Sequence, residues 1–427
     1  MYQAPRGTQD ILPEDQPYWE FVRATAADVC RRYGFERLDT PIFEETSLFV
    51  RGVGEGTDIV EKEMYSFQDK GGTDLTLRPE FTAGVVRAYL EHGMHTLPQP
   101  VKMFSIGPAF RYERPQAGRF RQFHQLNVES IGEQDPMVDA EIISVMWSFF
   151  QGLGFGGLHL QLNNIGCPAC RPAYLEALRG YYQAHIAQLC PDCVRRLERA
   201  PLRLLDCKAE ECQPLIANAP KSVDYLCPEC AAHFASLRSY LEALGRPYQL
   251  NHRLVRGLDY YTKTVFEVWA EGIGAQNAIC GGGRYDGLAE ELGGRPTPGI
   301  GVASGLERLV ALLRQQNLPV PELPRPFAYL IHVGKEPAER EPARVAALRL
   351  SEELRARGVP AETAFGERSM KSQMRSADRS GARWAVILGE AELAQGVAAL
   401  RSLTDSEQLQ VPLDQAAQWL AERANRQ

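Results

Sequence analysis

The sequence predicts an α+β chain in two parts: a mixed helix–sheet domain over residues 1–325, interrupted at 167–248 by a helical cysteine-rich insertion, and a small α/β domain over 326–427. Three observations predict it. The 427 residues are too many for one ordinary core, since domains run to ~100–200 residues. Eight of the ten cysteines fall within 167–248, between stretches patterned as strands. The run Leu318-Pro319-Val320-Pro321-Glu322-Leu323-Pro324-Arg325-Pro326 reads as a stiff, extended linker, and alternating strand and helix patterns follow it.

Along the chain, residues 16–33 read as a helix, because Trp19, Val22, Ala26, Val29 and Tyr33 recur at three- and four-residue steps before Gly34. Residues 38–43 read as extended, with Pro41 interrupting them, and the glycine-rich 51–57 as a mobile loop. A strand at 74–77 leads through Arg78-Pro79-Glu80 into a helix over 80–90. Segments 101–106 and 125–131 are strand-like. The polar, arginine-laden stretch 111–124 between them, with Pro115 and Gly118, reads as a long hairpin loop. A helix at 139–152 and a strand at 158–162 precede the insertion, whose helices are joined by Cys-Pro turns; strand patterning resumes at 265–269 and 278–280. Beyond the linker come strand 328–332, helix 343–357, the short segment 363–365, helix 370–379, strand 384–388, a last strand pair and a helix.

Composition narrows the function classes. With 44% hydrophobic and 24% charged residues the chain is that of a soluble globular protein. No uncharged apolar run approaches the ~18 residues of a spanning helix, and the first residues lack a basic-then-apolar leader, so the expectation is a cytoplasmic protein without a membrane partner. The formal charge of −7 lies outside the terminal domain, which holds 14 basic and 14 acidic residues. A globally basic nucleic-acid binder is excluded, and any contact with nucleic acid must come from local patches. In such a compartment the ten cysteines argue against a disulfide framework.

Three constellations can carry chemistry. Arg111 and Glu113, two apart, would share one face of a strand; Arg grips phosphate with two hydrogen bonds, and Glu113 can accept from an amino group. Phe123 offers a stacking surface, although a solvated hairpin with ion pairs fits these residues equally. The run Gly299-Ile300-Gly301-Val302-Ala303-Ser304-Gly305-Leu306-Glu307-Arg308 reads as a glycine-rich strand entering a helix that carries Arg308, either for a ligand close to the backbone or for close helix–strand packing. Arg256-Gly257-Leu258-Asp259-Tyr260-Tyr261 and Gly281-Gly282-Gly283-Arg284-Tyr285-Asp286-Gly287-Leu288 set tyrosine and charge beside glycine, as a polar pocket or a simple turn would.

Together, and in this order, these residues resemble a family. Arg111-x-Glu113, Gly305-Leu306-Glu307-Arg308 and Pro41 after a long helix resemble the class II aminoacyl-tRNA synthetases. The runs at 256–261 and 281–288 are similar to two signatures of the histidyl-tRNA synthetase family, and Leu77-Arg78-Pro79-Glu80-x-Thr82 also matches. The resemblance extends from Gly7-Thr8-Gln9-Asp10 into the terminal domain. It implies an antiparallel sheet flanked by helices, activation of histidine by ATP with magnesium, and transfer of histidine to the 3′ end of tRNA. It also implies a homodimer, an acceptor-end contact at 114–119 and an anticodon-binding terminal domain. Arg111 and Arg256 become the catalytic pair, shared between the ATP and histidine sites. Glu113, Phe123 and Arg308 join the ATP site, with Arg119 and Arg121 as further phosphate ligands. Glu80, Thr82 and Gln125 take the α-amino end of histidine, and Glu129, Tyr261 and Tyr285 read the imidazole. A carboxylate and a phenol satisfy both edges of an imidazole, and analogues lacking those nitrogens leave Glu129 unpaired. The competing readings are a histidine-sensing regulatory paralogue, which lacks the catalytic arginines and the terminal domain, and a binding module without turnover.

Two features remain. Arg368, Lys371, Arg375, Arg379 and Arg383 step by three or four, as a basic stripe for RNA or as an ordinary solvated helix face. Cys167-x-x-Cys170, Cys190-x-x-Cys193 and Cys227-x-x-Cys230, with Cys207 and Cys212, resemble zinc knuckles. Two pairs suffice for one structural zinc and the eight thiols for two; free buried thiols are the alternative. Cys30 and Cys280 read as packing residues.

Overall fold

Alternation along the strands builds the core of the first part of the chain. The computed structural model describes residues 2–54, 57–114, 119–271, 278–405 and 407–425. The chain divides into two compact units, 1–321 and 322–427. The strands of the first unit are β1 (Glu36–Arg37), β2 (Phe43–Glu45), β3 (Tyr65–Gln68), β4 (Asp74–Leu77), β5 (Val101–Phe110), β6 (Gln122–Ile131), β7 (His159–Asn164), β8 (Tyr248–Leu250), β9 (Thr262–Trp269), β10 (Ala278–Arg284) and β11 (Gly299–Gly305). Eight of them form one sheet in the order β1-β5-β6-β11-β10-β9-β7-β8, antiparallel except for the edge pairs β1–β5 and β7–β8. Strands β2, β4 and β3 make a small antiparallel sheet.

Successive side chains leave a strand on opposite faces. On one face of the large sheet, Leu126, Val128, Ile300, Val302, Phe266 and Val268 are buried against helices Gln16–Arg32, Pro136–Gly152 and Leu306–Gln315. Helix Gln16–Arg32 contributes Trp19, Val22, Ala26 and Val29, the apolar stripe of its sequence. Asp135 caps helix Pro136–Gly152 by accepting from the Met137 amide. The intervening residues Gln125, Asn127, Glu129, Gly301, Ala303, Gly281, Gly283 and Glu267 belong to the other face, where pairing sets Glu129 opposite Gly301 and Glu267 opposite Gly281. One alternation thus makes a core on one side and a polar, side-chain-poor floor on the other.

The insertion consists of helices Arg171–Ala184, Pro191–Arg199, Gln213–Ala217 and Pro228–Ala243. The first two pack a satellite core around Tyr174, Leu178, Tyr182 and Leu197, whereas Phe234, Leu237 and Leu241 of the last join the main core. The second unit has strands β12 (Ala328–His332), β13 (Ala361–Thr363), β14 (Trp384–Leu388), β15 (Val397–Ser402) and β16 (Gln408–Pro412), in the order β13-β12-β14-β15-β16. Helices Pro337–Ala356 and Ala416–Ala424 bury Leu350, Leu354, Ala417 and Leu420 with β12 and β14, and helix Met370–Ser380 buries Ala377 in a second cluster. Arg368, Lys371, Arg375, Arg379 and Arg383 are all exposed there. Among the described residues, no helix is long and apolar enough to cross a membrane.

Several elements differ from the sequence reading. Strands β5 and β6 run four and three residues further toward the hairpin tip than expected, because ten residue pairs continue the ladder up to Phe110 opposite Gln122. Residues 51–53 close helix Thr46–Val53 instead of opening a loop, with Gly54 at φ 104° ending it; 55 and 56 lie outside the described residues. The tip at 115–118 lies outside them too. Helix Thr82–Glu91 starts at Thr82, since Glu80 stands before it and accepts from its first amides. Arg111 and Glu113 lie beyond the end of β5, so no strand face holds them. The Gly281–Gly283 run is strand rather than turn.

Candidate active site

The polar floor carries two adjoining features. The first is a cavity of about 520 Å³, lined by Arg111, Glu113, Arg119, Phe123, Arg256, Glu267, Trp269, Cys280, Gly281, Ala303, Gly305 and Arg308, with Asp206 and Lys208 from the insertion. Arg111 is fixed by donating from Nε to the Pro79 carbonyl at 2.8 Å, and its guanidinium lies 5.5 Å from the centre of the Phe123 ring. Arg119 pairs with Glu113 at 3.1 Å. Arg256 pairs with Glu267 at 2.7 Å, and Glu267 accepts from Trp269 Nε1 with its other oxygen. Burial acts to lower the Arg256 pKa, but Tyr261 and Glu267 beside it hold it above the ordinary value. Arg308 donates to the Ala278 carbonyl; burial, and Arg119 nearby, lower its pKa. Gly281 of β10 leaves room for this arrangement: a Cβ there would fall on the Arg256 guanidinium and displace it.

The second feature is a buried pocket around Glu129, which is 1% exposed. Its Oε1 accepts from Thr82 Oγ1 at 2.6 Å and from Asn127 Nδ2 at 2.7 Å, and its Oε2 from the Tyr285 hydroxyl at 2.6 Å. Removal from water disfavours the carboxylate and pushes its pKa up to about 7, against these three donors. Glu80, also buried, accepts from the amides of Thr82 and Ala83 at 2.6 and 2.9 Å, and burial raises its pKa as well. The Tyr260 and Tyr261 rings lie 4.7 Å apart, and Tyr260 meets Tyr285 at 5.9 Å. Gly301 makes room for this cluster, because a Cβ there would fall on the Glu129 carboxylate. The Gln125 Oε1 atom is buried without a partner among the described residues, an acceptor available to an ammonium group. Arg256 joins the two features: it lines the cavity, and its guanidinium lies 5.7 Å from the centre of the Tyr261 ring.

The fold therefore gathers Arg111, Glu113, Arg119, Phe123, Arg256 and Arg308 around one cavity, and Thr82, Glu129 and Tyr285 around one hydrogen-bonded carboxylate. Arg121 stands apart from the cavity lining, with its guanidinium 3.8 Å from the Tyr112 ring centre and its backbone paired with Gly7. Sequence reasoning passed over Glu267, Trp269, Asn127, Asp206 and Lys208, and treated Cys280 as packing alone. Glu267 was findable as the single acid in an apolar strand pattern. Arg284, inside a signature, is no cavity residue: it is fully buried in an ion pair with Asp139 at 2.7 Å.

The cavity suits a polyanion with a planar group. It offers four arginines and a lysine for phosphates, an aromatic face, and the carboxylates of Glu113, Asp206 and Glu267, oxygen donors of the kind magnesium takes. The insertion cysteines gather into two groups of four whose sulfurs can hold a metal ion.

The family model described as histidyl-tRNA synthetase matches residues 7–309, and that of an anticodon binding domain matches 328–423. A histidine–tRNA ligase of Dehalococcoides mccartyi is 54% identical over 415 residues, covering 97% of this chain and 98% of the relative. One from Desulforamulus reducens is 49% identical, covering 98% and 99%. The crystal structure of apo S. aureus histidyl-tRNA synthetase superposes with a TM-score of 0.83 at 36% identity, covering 99% of this chain and 100% of that one. With a relative 54% identical over nearly the full length of both chains and the histidyl-tRNA synthetase model matching residues 7–309, the chain belongs to the histidyl-tRNA synthetase family.

Proposed function

We propose that the cavity and the Glu129 pocket together activate histidine for the histidine–tRNA ligase reaction. The histidine carboxylate attacks the α-phosphorus of ATP, pyrophosphate leaves, and a ribose hydroxyl at the 3′ end of tRNA then displaces AMP from the histidyl carbonyl. The position of Arg256 carries this reading, because it is the side chain common to the cavity and to the tyrosine-walled pocket. A fixed cation at that junction stabilises charge growing on the pentavalent phosphorus. Arg111 holds the α-phosphate from the other side, and Arg308 takes the γ-phosphate. Phe123 stacks on the adenine, Glu113 accepts from its amino group, and Arg119 supplies further phosphate contact. Magnesium bound with the ATP phosphates would neutralise part of their charge, the cavity carboxylates offering it oxygen ligands. Activation thus rests on alignment and electrostatics, without a general base.

In the pocket, Glu129, Tyr261 and Tyr285 read the imidazole, while Glu80, Thr82 and Gln125 surround the α-amino group. Glu129 already organises the hydroxyls of Thr82 and Tyr285, so an imidazole N–H enters a preformed acceptor.

The terminal unit receives the anticodon, its exposed stripe from Arg368 to Arg383 contacting phosphates. A homodimer is supported by an exposed apolar patch on the small sheet, where Phe43 and Phe67 meet edge to face beside exposed Ile42. A role in protein synthesis, and cysteines none of which is paired in a disulfide among the described residues, support a cytoplasmic location.

The test is exchange of labelled pyrophosphate into ATP, with each standard amino acid in turn and no tRNA. Exchange with histidine alone is the expected result. Measurable histidine binding without exchange would turn the reading toward a histidine sensor.

A further inference from the structure

We propose that the insertion holds two structural zinc ions, one in Cys167, Cys170, Cys227 and Cys230 and the other in Cys190, Cys193, Cys207 and Cys212. Within each group the four sulfurs all lie within 4.8 Å of one another. In the first, the Cys167–Cys170, Cys167–Cys227 and Cys170–Cys230 sulfurs are 3.7, 3.9 and 3.9 Å apart; in the second, Cys190 and Cys207 are 3.7 Å apart. A tetrahedral ion with zinc–sulfur bonds of about 2.3 Å sets its sulfurs about 3.8 Å apart. Disulfide sulfurs would stand at about 2.05 Å. A multi-iron cluster spreads its thiolates around a larger core, so the spacing selects a single ion at each site.

The surrounding backbone fits negatively charged sulfur. The Cys167 amide donates to Cys170 Sγ at 3.3 Å, the Cys190 amide to Cys212 Sγ at 3.3 Å, and the Ala209 amide to Cys207 Sγ at 3.4 Å. Cys190 and Cys227 each precede the proline that opens a helix, and their partners Cys193 and Cys230 lie one turn in.

The two sites brace different walls of the active site. The first joins residues about sixty positions apart, where the insertion leaves the sheet domain and where its last helix begins, which is where a metal clip constrains the chain most. Arg171, next to Cys170, donates to the carbonyls of Tyr261 at 2.5 Å and Gly166 at 3.1 Å, linking this site to the tyrosine wall. In the second, Cys207 holds the segment whose neighbours Asp206 and Lys208 line the cavity.

Metal analysis of the full-length protein, purified without added zinc or chelator, tests the proposal. Two zinc ions per chain are expected. Protein produced with cobalt should show the visible bands and sulfur-to-metal charge transfer of tetrahedral thiolate cobalt. Cys170→Ser and Cys193→Ser should each lower the count to one, leaving the other group loaded. The wild-type count and spectrum do not depend on those variants folding. Fewer than two zinc ions per folded chain, iron in their place, or a cobalt form without the charge-transfer band overturns the assignment.

Discussion

Arg284 and Arg256 are both withdrawn from water within the same sheet domain, and they are buried differently. Arg284 is fully buried, and its hydrogen bonds are shared among the Asp139 carboxylate, Asp286 and the carbonyls of Glu133 and Asp135. Arg256 keeps part of its surface, spends one nitrogen on Glu267, and has a buried Nε without a partner among the described residues. A charge enclosed by its own protein braces the fold, whereas a charge held with capacity to spare beside a cavity is set for a ligand. The same contrast separates the two faces of the sheet: alternate residues of one strand pack a core or furnish a site.

The largest effect should come from the closed arginine. Arg284→Ala leaves the buried Asp139 without its arginine, facing the His233 ring at 3.7 Å, and should lower the free energy of unfolding by about 3–5 kcal/mol, read by denaturant titration. Pyrophosphate exchange per folded molecule should survive at low temperature. A variant of normal stability with no exchange would move Arg284 into the site and dissolve the contrast. Arg256→Ala should do the reverse. The exchange rate should fall on the order of 10²–10³-fold while the unfolding midpoint holds, since Trp269 still satisfies one oxygen of Glu267.

The residue types of this contrast were legible in the sequence, but their environments were not. Arg256 and Arg284 each sit in a glycine-and-tyrosine run of similar appearance, and only the fold decides which one meets a cavity: Arg284 ends β10 and is enclosed, whereas Arg256 lies in the irregular segment before β9. Gly281–Gly283 fit a pocket or a turn equally in the sequence; they are strand, and a Cβ there would meet Arg256 at 281, the Gly301 carbonyl at 282, and the Thr264 carbonyl and Tyr261 at 283. Arg111 and Glu113 reach one cavity without the strand that their spacing suggested, since they lie beyond the last rung of the hairpin ladder. The cysteine pairs were visible, but their partition joins Cys167 to Cys227 across about sixty residues, a long-range contact that spacing cannot encode. The linker and the alternation after it were clear because proline and hydrophobic period act locally.

A smaller perturbation sharpens the link between floor and pocket. Gly301→Ala adds one methyl where the Glu129 carboxylate lies, so that side chain must move. Losing a charged hydrogen bond to the imidazole costs about 1.5–3 kcal/mol, so the KM for histidine should rise roughly 10- to 150-fold. The KM for ATP should stay as it was. Equal rises in both would mean that the floor acts as one unit and that the pocket is not separate from the cavity.

The smallest effect is a pH dependence that resides in Glu129. Its carboxyl ordinarily titrates at 4.5 and in the fold at about 7, because burial penalises the charged form. A raised folded pKa means that the native state holds this proton more tightly than the unfolded chain does. The stability it contributes is complete below pH 4.5 and is lost as pH rises through about 7. Glu129→Gln has no proton to lose, so its unfolding free energy should fall less than that of the wild type between pH 5 and 8. Histidine acts in the opposite sense. An imidazole N–H donated to Glu129 favours the carboxylate, so binding expels the proton, and wild-type affinity should climb up to about tenfold per pH unit as pH approaches 7 from below. The ligand's own imidazole titrates near 6.5 and shapes both profiles. The difference between wild type and Glu129→Gln therefore isolates the carboxyl, and calorimetry in buffers of different ionisation enthalpy counts the proton released. Identical profiles for the two proteins would mean that Glu129 is enclosed by Thr82, Asn127 and Tyr285 as completely as Arg284 is by its partners, and that the imidazole is read elsewhere.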